Sequence, residues 1–449
     1  MSARKPNVIL VFGDQWRAQD TGYAGNPQVR TPHLDRFAAD SVNATHAVSG
    51  CSVCSPARAS LLTGQYPLTH GIFVNDVCLQ NGATSMAQAF KEGGYDTAYI
   101  GKWHIDGHGR SNYIPPERRQ GFEYWKVLEC THSYNESYYY AGDSDEKLEW
   151  ETYDAEAQTK DAQQYIRDHQ GDDPFLMVLS WGPPHAPYET APAKYRAQYR
   201  REDIELRRNV PPEKAADAAE WIAGYYAHCT ALDDCMADLL QTLEDQGIDD
   251  NTIVLFFSDH GDMLGSQGWD KKQKPWEESI RVPFLLRYPA LFGREGRQVD
   301  ARIDIPDIMP TLLGLCQLNI PASVEGLDFS GYLRGGDDPS DGAALLSCPH
   351  PFGQWHRQIG GREYRGLRTK RYTYARSLQG PWLLYDNERD PYQLENLVDN
   401  SDAADLLKEL DQRLSTRLAL MGDEFLPGDD YLQQWGYEVD EKGTVPYGN

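Results

Sequence analysis

Four short apolar runs constrain the fold of this chain more than any other feature: Asn7–Phe12, Tyr95–Ile100, Phe175–Trp181 and Thr252–Phe257. Each is shorter than a typical buried helix and is bounded by turn residues, so each reads as a strand covered on both faces. Helical patterns lie between them, at Ala57–Leu62, Ser85–Glu92, Gln158–Asp168 and Ala215–Gln246. Strands that alternate with helices build a parallel α/β sheet. A Gly/Asp/Pro-rich stretch, Arg334–Gly342, reads as a linker. Beyond it, Tyr364–Arg376 and Trp382–Tyr385 look like short antiparallel strands, and Asp402–Leu420 like an amphipathic helix. We therefore expect a catalytic domain over residues 1–340 and a smaller α+β domain over 341–449, its tail from Gly422 an irregular coil.

Each strand end carries chemistry. Asp14-Gln15 follows the first run, Lys102 and His104 the second, His185 the third and Asp259-His260 the fourth. Open α/β sheets bind ligands beyond the carboxyl ends of their strands. The chain has 43 Lys and Arg against 68 Asp and Glu, a net charge of −25. That field repels nucleic acid and anionic membranes. It still allows a small basic pocket inside an acidic shell, and it suits a cation. No run of 18 apolar residues is present, so no membrane-spanning helix is expected. The opening Met1–Asn7 leads into an apolar run of five residues with no cleavage-like site after it, which favours a cytoplasmic location; a periplasmic one follows if a leader has been removed.

The densest signal is Cys51-Ser-Val-Cys54-Ser-Pro-Ala-Arg58-Ala-Ser-Leu-Leu-Thr63-Gly64. Pro56 suits the first turn of a helix and Gly64 its exit. Cys54 then sits at a helix N-terminus, which favours an anion, and Arg58 shares its face one turn on. A thiol and a guanidinium at such a helix end point to attack on a sulfuryl or phosphoryl group. Cys51-x-x-Cys54 also admits a redox pair, a structural zinc site or plain buried thiols, but the first lacks its fold context and the second lacks further ligands at matching spacing.

The segment Cys54–Gly64 resembles the signature of the type I sulfatases, C-x-P-x-R-x4-T-G, at every position. Val8–Gln15, Gly101–His104, Pro183–Tyr188, Ser258–Gly261, Glu277–Pro283 and Leu384–Asn396 resemble further blocks of that family in the same order. The resemblance implies an alkaline-phosphatase-like fold: a large mixed, mostly parallel sheet sandwiched by helices, with a C-terminal subdomain on a short antiparallel sheet. It implies that Cys54 is converted to formylglycine by a separate formylglycine-generating enzyme. The hydrate of that residue attacks sulfur, and its second hydroxyl then expels sulfate, splitting one displacement into two steps. By the same resemblance Asp14, Gln15, Asp259 and His260 hold a divalent metal together with residue 54. Many relatives have Asp where this chain has Gln15 and Asn where it has His260. Oxygen-rich ligation suits Ca²⁺ or Mg²⁺, and the imidazole makes Mn²⁺ a rival. Arg58 would steady the site, Lys102 and His104 would grip the transferring group, and His185 and Lys272 would meet the sulfate and the leaving oxygen, one as general acid. Lys272 is chosen by its spacing from Arg281, with Lys271 and Lys274 as competitors.

Relatives that hydrolyse phosphonate monoesters and phosphodiesters share the Asp-Gln and Asp-His variants but replace the lysine and histidine of Gly101-Lys-Trp-His104. Their retention here favours sulfate, with the phosphonate or phosphodiester reading as the alternative and a non-catalytic binding protein as a third. The expected substrate is a sulfated carbohydrate or an aryl sulfate. Aromatic rings stack on both, so Trp103 and Tyr188 are candidate substrate contacts, with His350, His356 and Arg357 as further ones. The segment Thr131–Trp150 reads as an insertion that selects substrate.

Overall fold

The computed structural model describes residues 4–80, 82–169, 171 and 173–447. Ten strands form one large sheet: β1 (Asn7–Asp14), β2 (Val42–Ala44), β3 (Asp96–Lys102), β4 (Tyr124–Leu128), β5 (Tyr138–Ala141), β6 (Leu148–Glu149), β7 (Phe175–Pro184), β8 (Thr252–Ser258), β9 (Phe284–Arg287) and β10 (Arg297–Val299). Their order is β10-β2-β9-β8-β1-β7-β3-β4-β5-β6. The four expected strands are the adjacent centre β8-β1-β7-β3, and all three of their pairings are parallel. Antiparallel pairs appear only toward the edges, where β9 joins β8 and β2, and β5 joins β4 and β6.

Alternation along β1 shows why this centre is apolar throughout. Val8, Leu10 and Phe12 enter one core, with the helices Cys54–Thr63 and Ile305–Leu315. Ile9 and Val11 enter the other, with the helices Asp154–Asp168 and Ala215–Asp245. A strand covered on both faces has no side on which to place a polar residue. Two glycines fix the approach to the strand tips. Gly64 ends the Cys54 helix in the left-handed region, φ 65°. Gly101, φ 104°, lies so close to β7 that an added Cβ would stand 2.1 Å from Ser180 O.

A second sheet, β11 (Ala343–Cys348), β12 (Tyr364–Thr369), β13 (Tyr372–Ser377) and β14 (Gly380–Asp386), is antiparallel throughout. One face packs Leu345, Leu367, Tyr374 and Leu384 on Leu410, Leu414 and Leu418 of the helix Ala404–Met421. Leu346, Tyr364, Ala375 and Leu383 on the other face meet Met263, Trp276 and Ile280 of the main body. The sequence reading missed β11. It also took the tail for coil, whereas Gly428–Trp435 is a helix that buries Tyr431 and Leu432 in the main core. Two adjacent apolar residues among acidic and amide neighbours carry too little periodicity to reveal a helix that tertiary burial stabilises. Thr131–Trp150 contains β5 and β6 and extends the sheet beyond β4.

The small sheet is tied to the body by a buried ion pair. Arg368 Nε and Nη2 donate to Glu277 Oε1 and Oε2 at 2.7 and 2.9 Å. Burial opposes the charge on Glu277, but Arg368 overcomes it and holds the carboxyl down at about 2, against an ordinary 4.5. A depressed carboxyl contributes stability above its unfolded value and loses it as pH falls through the folded value. Arg368→Ala should cost about 3–5 kcal/mol, because it strands a buried carboxylate. Chemical denaturation at pH 7 and again between pH 4.5 and 2 checks this: the variant should lose midpoint at pH 7 and show a flatter acid dependence. A loss at pH 7 below about 1 kcal/mol would contradict the assignment.

Candidate active site

The strand tips converge on Asp14. Its Oδ2 accepts from Lys102 Nζ at 2.7 Å and Arg58 Nη2 at 3.1 Å, all three side chains being buried. Arg58 Nη2 also lies 3.2 Å from Asp259 Oδ2, and Nη1 donates to Lys102 O and Ser180 Oγ. One guanidinium thus spans the ends of β1, β3, β7 and β8. Burial alone would raise the Asp14 carboxyl, but Lys102, His185, Lys272 and Arg58 hold it well below the usual carboxylate range. Asp259 behaves oppositely: burial and the charge of Asp14 push it up to about 6.

Cys54 opens its helix with its Sγ facing these carboxylates; in the mature residue implied by the motif, oxygen atoms stand in place of this sulfur. The sulfur lies 3.6 Å from Asp14 Oδ1, 3.2 Å from His260 Nε2 and 3.0 Å from Lys272 Nζ. Burial and Asp14 push the thiol up, yet Lys272, Lys102 and His260 carry it well below its ordinary value. The position therefore favours an anion. Cys51, by contrast, is pushed up to about 12 by burial, and both cysteines are free thiols. A redox pair finds no support in that asymmetry.

Two turns at the strand tips adopt left-handed backbone, Gln15 at φ 72° and His104 at φ 62°. Such strain in residues with side chains is held by surrounding bonds and clusters at functional sites. Gln15 N donates to Asp259 Oδ1 at 3.0 Å, and Tyr225 Oη donates to Gln15 O at 2.7 Å. Gln15 Nε2 donates to Asp262 Oδ2 at 2.6 Å, which fixes the amide so that Oε1 faces Lys272 Nζ at 3.0 Å. Tyr188 donates to the same Asp262 oxygen at 2.5 Å. Tyr188 thus supports Gln15 from behind; it is not placed as a substrate platform.

Lys272 is the lysine that reaches the centre. Its ammonium meets Gln15 Oε1, Cys54 Sγ and His185 Nε2 at 3.0, 3.0 and 2.9 Å. Lys274 Nζ instead donates to Asp270 O and Lys272 O, and the Lys271 backbone N–H donates to Asp262. The loop is clamped from two sides. Gln273 N donates to Ser52 O, Gln273 Nε2 to Phe352 O, and Tyr364 Oη to Gln273 O. His185 Nδ1 lies 2.7 Å from Ala186 O, so Nδ1 carries the proton and Nε2 accepts from Lys272.

His104 is buried, with Nε2 3.5 Å from Asp76 Oδ1. Arg110 grips Asp76 through two bonds of 2.8 Å. Burial lowers His104, but Cys130 and Asp76 overcome it and raise the imidazole well above its ordinary value. The remaining expected contacts are not gathered here as free groups. Trp103 is fully buried among Tyr99, Phe122 and Trp125, so it is core and not rim. Arg357 is taken by Glu363 and Asp429, His350 is buried against Gly428 and Gly443, and His356 lies on the same C-terminal loop. Sequence reasoning missed Asp262, Asp76 and Cys130, the last of which faces His104 from just after β4. The available signal was again a strand end, but Tyr124–Leu128 includes Lys126 and lacks an unbroken apolar run.

Asp14, Cys54, Asp259 and His260, all buried, place their ligand atoms within 4.8 Å of one another. Asp259 Oδ2 is buried and, among the described residues, has its ion-pair contact with Arg58 but no hydrogen bond. Two carboxylates and an anion-favouring sulfur at this spacing repel one another, and Asp14 Oδ1 faces the sulfur at 3.6 Å. The donor set therefore fits a divalent cation.

A buried nucleophile position flanked by carboxylates, an imidazole and converging cations defines a hydrolase centre for a tetrahedral anionic group. Comparison with known families places it further. The Sulfatase model matches residues 6–318, and the model for the C-terminal region of N-sulphoglucosamine sulphohydrolase matches 265–419. The chain is 46% identical to an ulvan-active sulfatase of Formosa agariphila, over 99% of this chain and 87% of that one. It is 29% identical to an endo-4-O-sulfatase of Bacteroides thetaiotaomicron, over 94% and 93% of the two chains. The yidJ sulfatase structure from Bacteroides fragilis superposes with a TM-score of 0.85 at 29% identity, covering 96% of this chain and 98% of the other. The protein belongs to the sulfatase family and is a sulfuric ester hydrolase of alkaline-phosphatase-like fold. Members of this family generally use a divalent metal and formylglycine, and the buried cluster fits that use.

Asp262 offers a test of the ligand support. Asp262→Asn should weaken divalent-ion affinity and activity by about 10–100-fold, the usual cost of losing an outer hydrogen bond to a metal site. Ion titration followed by calorimetry checks this. Unchanged affinity would show that Gln15 needs no such anchor.

Proposed function

We propose that the protein hydrolyses a sulfate monoester carried by a carbohydrate. The contact that carries this reading is Lys272 Nζ at 3.0 Å from Cys54 Sγ, which sets a cation beside the nucleophile position. The carbohydrate class is supported by the names of the relatives, an ulvan-active sulfatase and an endo-4-O-sulfatase. Asp14, Gln15, Asp259, His260 and residue 54 would hold the divalent ion, Ca²⁺ by its preference for oxygen, with Mg²⁺ or Mn²⁺ as alternatives. When bound, the ion supplies positive charge to the sulfate oxygens, and formylglycine at position 54 supplies the nucleophilic oxygen.

The chain's own groups do the rest. Arg58 and Lys102 neutralise Asp14 and hold both carboxylates still. Lys272 faces the sulfate oxygens as a fixed charge in a water-poor pocket, where such a charge acts strongly. His185, anchored through Nδ1, accepts from Lys272 through Nε2, so the pair holds one transferable proton at the leaving-group side. Lys272 is the proton holder of that pair, and His185 sets its direction. His104, kept charged by Cys130 and Asp76, adds a fourth cation.

Peptide mass spectrometry across Cys51–Arg58 tests the nucleophile: a matured sample should show loss of sulfur at position 54. Cys54→Ala should abolish turnover of every sulfate ester, and Lys272→Ala should lower kcat by about 10²–10³, the range for loss of one charge-stabilising donor. Chelation should remove activity and readdition of one divalent ion restore it. A matured enzyme that preferred an aryl phosphodiester to an aryl sulfate would overturn the sulfate reading.

A further inference from the structure

His132 lies on the segment that follows β4, outside every group used above. Its imidazole stacks on that of His185, with ring centroids 4.7 Å apart and planes 14° from parallel. His185 is buried, while His132 is exposed, so the stack runs from the catalytic pocket to the solvent. No hydrogen bond engages either ring nitrogen of His132 among the described residues. Crowding by protein atoms, then the charges of Lys102, Lys272, Arg110 and His104, push its imidazole down to about 3. It is therefore neutral at pH 7, with one N–H donor and one acceptor.

The opposite side of His185 is fixed by different means. Ala186 O holds Nδ1 and Lys272 holds Nε2, so both in-plane directions are taken and only the ring faces remain. A flat neighbour on one face is what sets the remaining tilt. That neighbour sits beside the group assigned to the leaving oxygen, with its own polar edge unspent. A carbohydrate leaving group carries hydroxyls next to the ester oxygen; a phenol carries none. A neutral donor and acceptor at this place distinguishes the two.

We propose that His132 is a substrate-contacting residue that selects carbohydrate leaving groups, offering a ring nitrogen to a hydroxyl beside the ester while its face positions His185. The proposal rests on the carbohydrate reading given above.

The matured enzyme, the His132→Phe variant and the His132→Ala variant are compared on 4-nitrophenyl sulfate and on sulfated oligosaccharides released from ulvan. Phe keeps the stacked ring and removes both nitrogens; Ala removes both features. The expected result for His132→Phe is a KM for the oligosaccharides raised by about tenfold, the scale of one lost hydrogen bond, with kcat on the aryl sulfate within about twofold of wild type. His132→Ala should add a fall in kcat on both substrates, because His185 loses its tilt. Circular dichroism confirms that each variant is folded. A His132→Phe enzyme matching wild type on both substrates, or losing both equally, overturns the selection role. A wild-type enzyme that cleaves the aryl sulfate but none of a panel of sulfated mono- and oligosaccharides, those from ulvan included, instead overturns the carbohydrate reading, and this proposal with it.

Discussion

A carboxylate buried where four strand ends meet would be untenable alone, and Asp14 is stable there because two cations reach it from neighbouring elements. Arg58 arrives from the helix that Cys54 begins, and Lys102 from the tip of the adjoining parallel strand. An ion that loses its partner in such a place costs several kcal/mol. The network therefore locks the relative height of the helix, the strands and the turn that follows β1. The distances around residue 54 are set by charge satisfaction as much as by packing.

The same network resolves an apparent conflict. The chain as a whole carries a charge of −25, yet it belongs to a family that acts on anions. Arg58, Lys102, His104 and Lys272 are buried within a small volume at the strand tips, where low dielectric strengthens them. An acidic exterior tens of ångströms away is screened by salt and has little bearing on that interior field.

Much of this was legible in the sequence, for a physical reason. A strand buried on both faces must be apolar from end to end, so β1, β7 and β8 stood out, and the residues just past them could only be at the sheet's ligand-binding edge. The motif from Cys54 to Gly64 was equally plain because Pro and Gly mark both ends of its helix. What failed was anything decided by tertiary direction. Trp103 follows Lys102 directly, yet alternation turns it into the core. Tyr188 and Arg357 have the chemistry to bind sugar, but Asp262 in one case, and Glu363 with Asp429 in the other, already occupy them. β11 and the helix Gly428–Trp435 lack periodic signals and form because the body offers them an apolar surface.

The clamp on Gln273 gives the C-terminal region a part in placing Lys272 beside Cys54 that its distance along the chain conceals. Phe352 and Tyr364 grip the residue next to Lys272, while Ser52, two residues before Cys54, grips it from the other side. The spacing between lysine and nucleophile is thus a joint property of segments some three hundred residues apart. A chimera that joined one homologue's sheet to another's C-terminal half would have to carry both halves of this vice to keep the lysine beside residue 54.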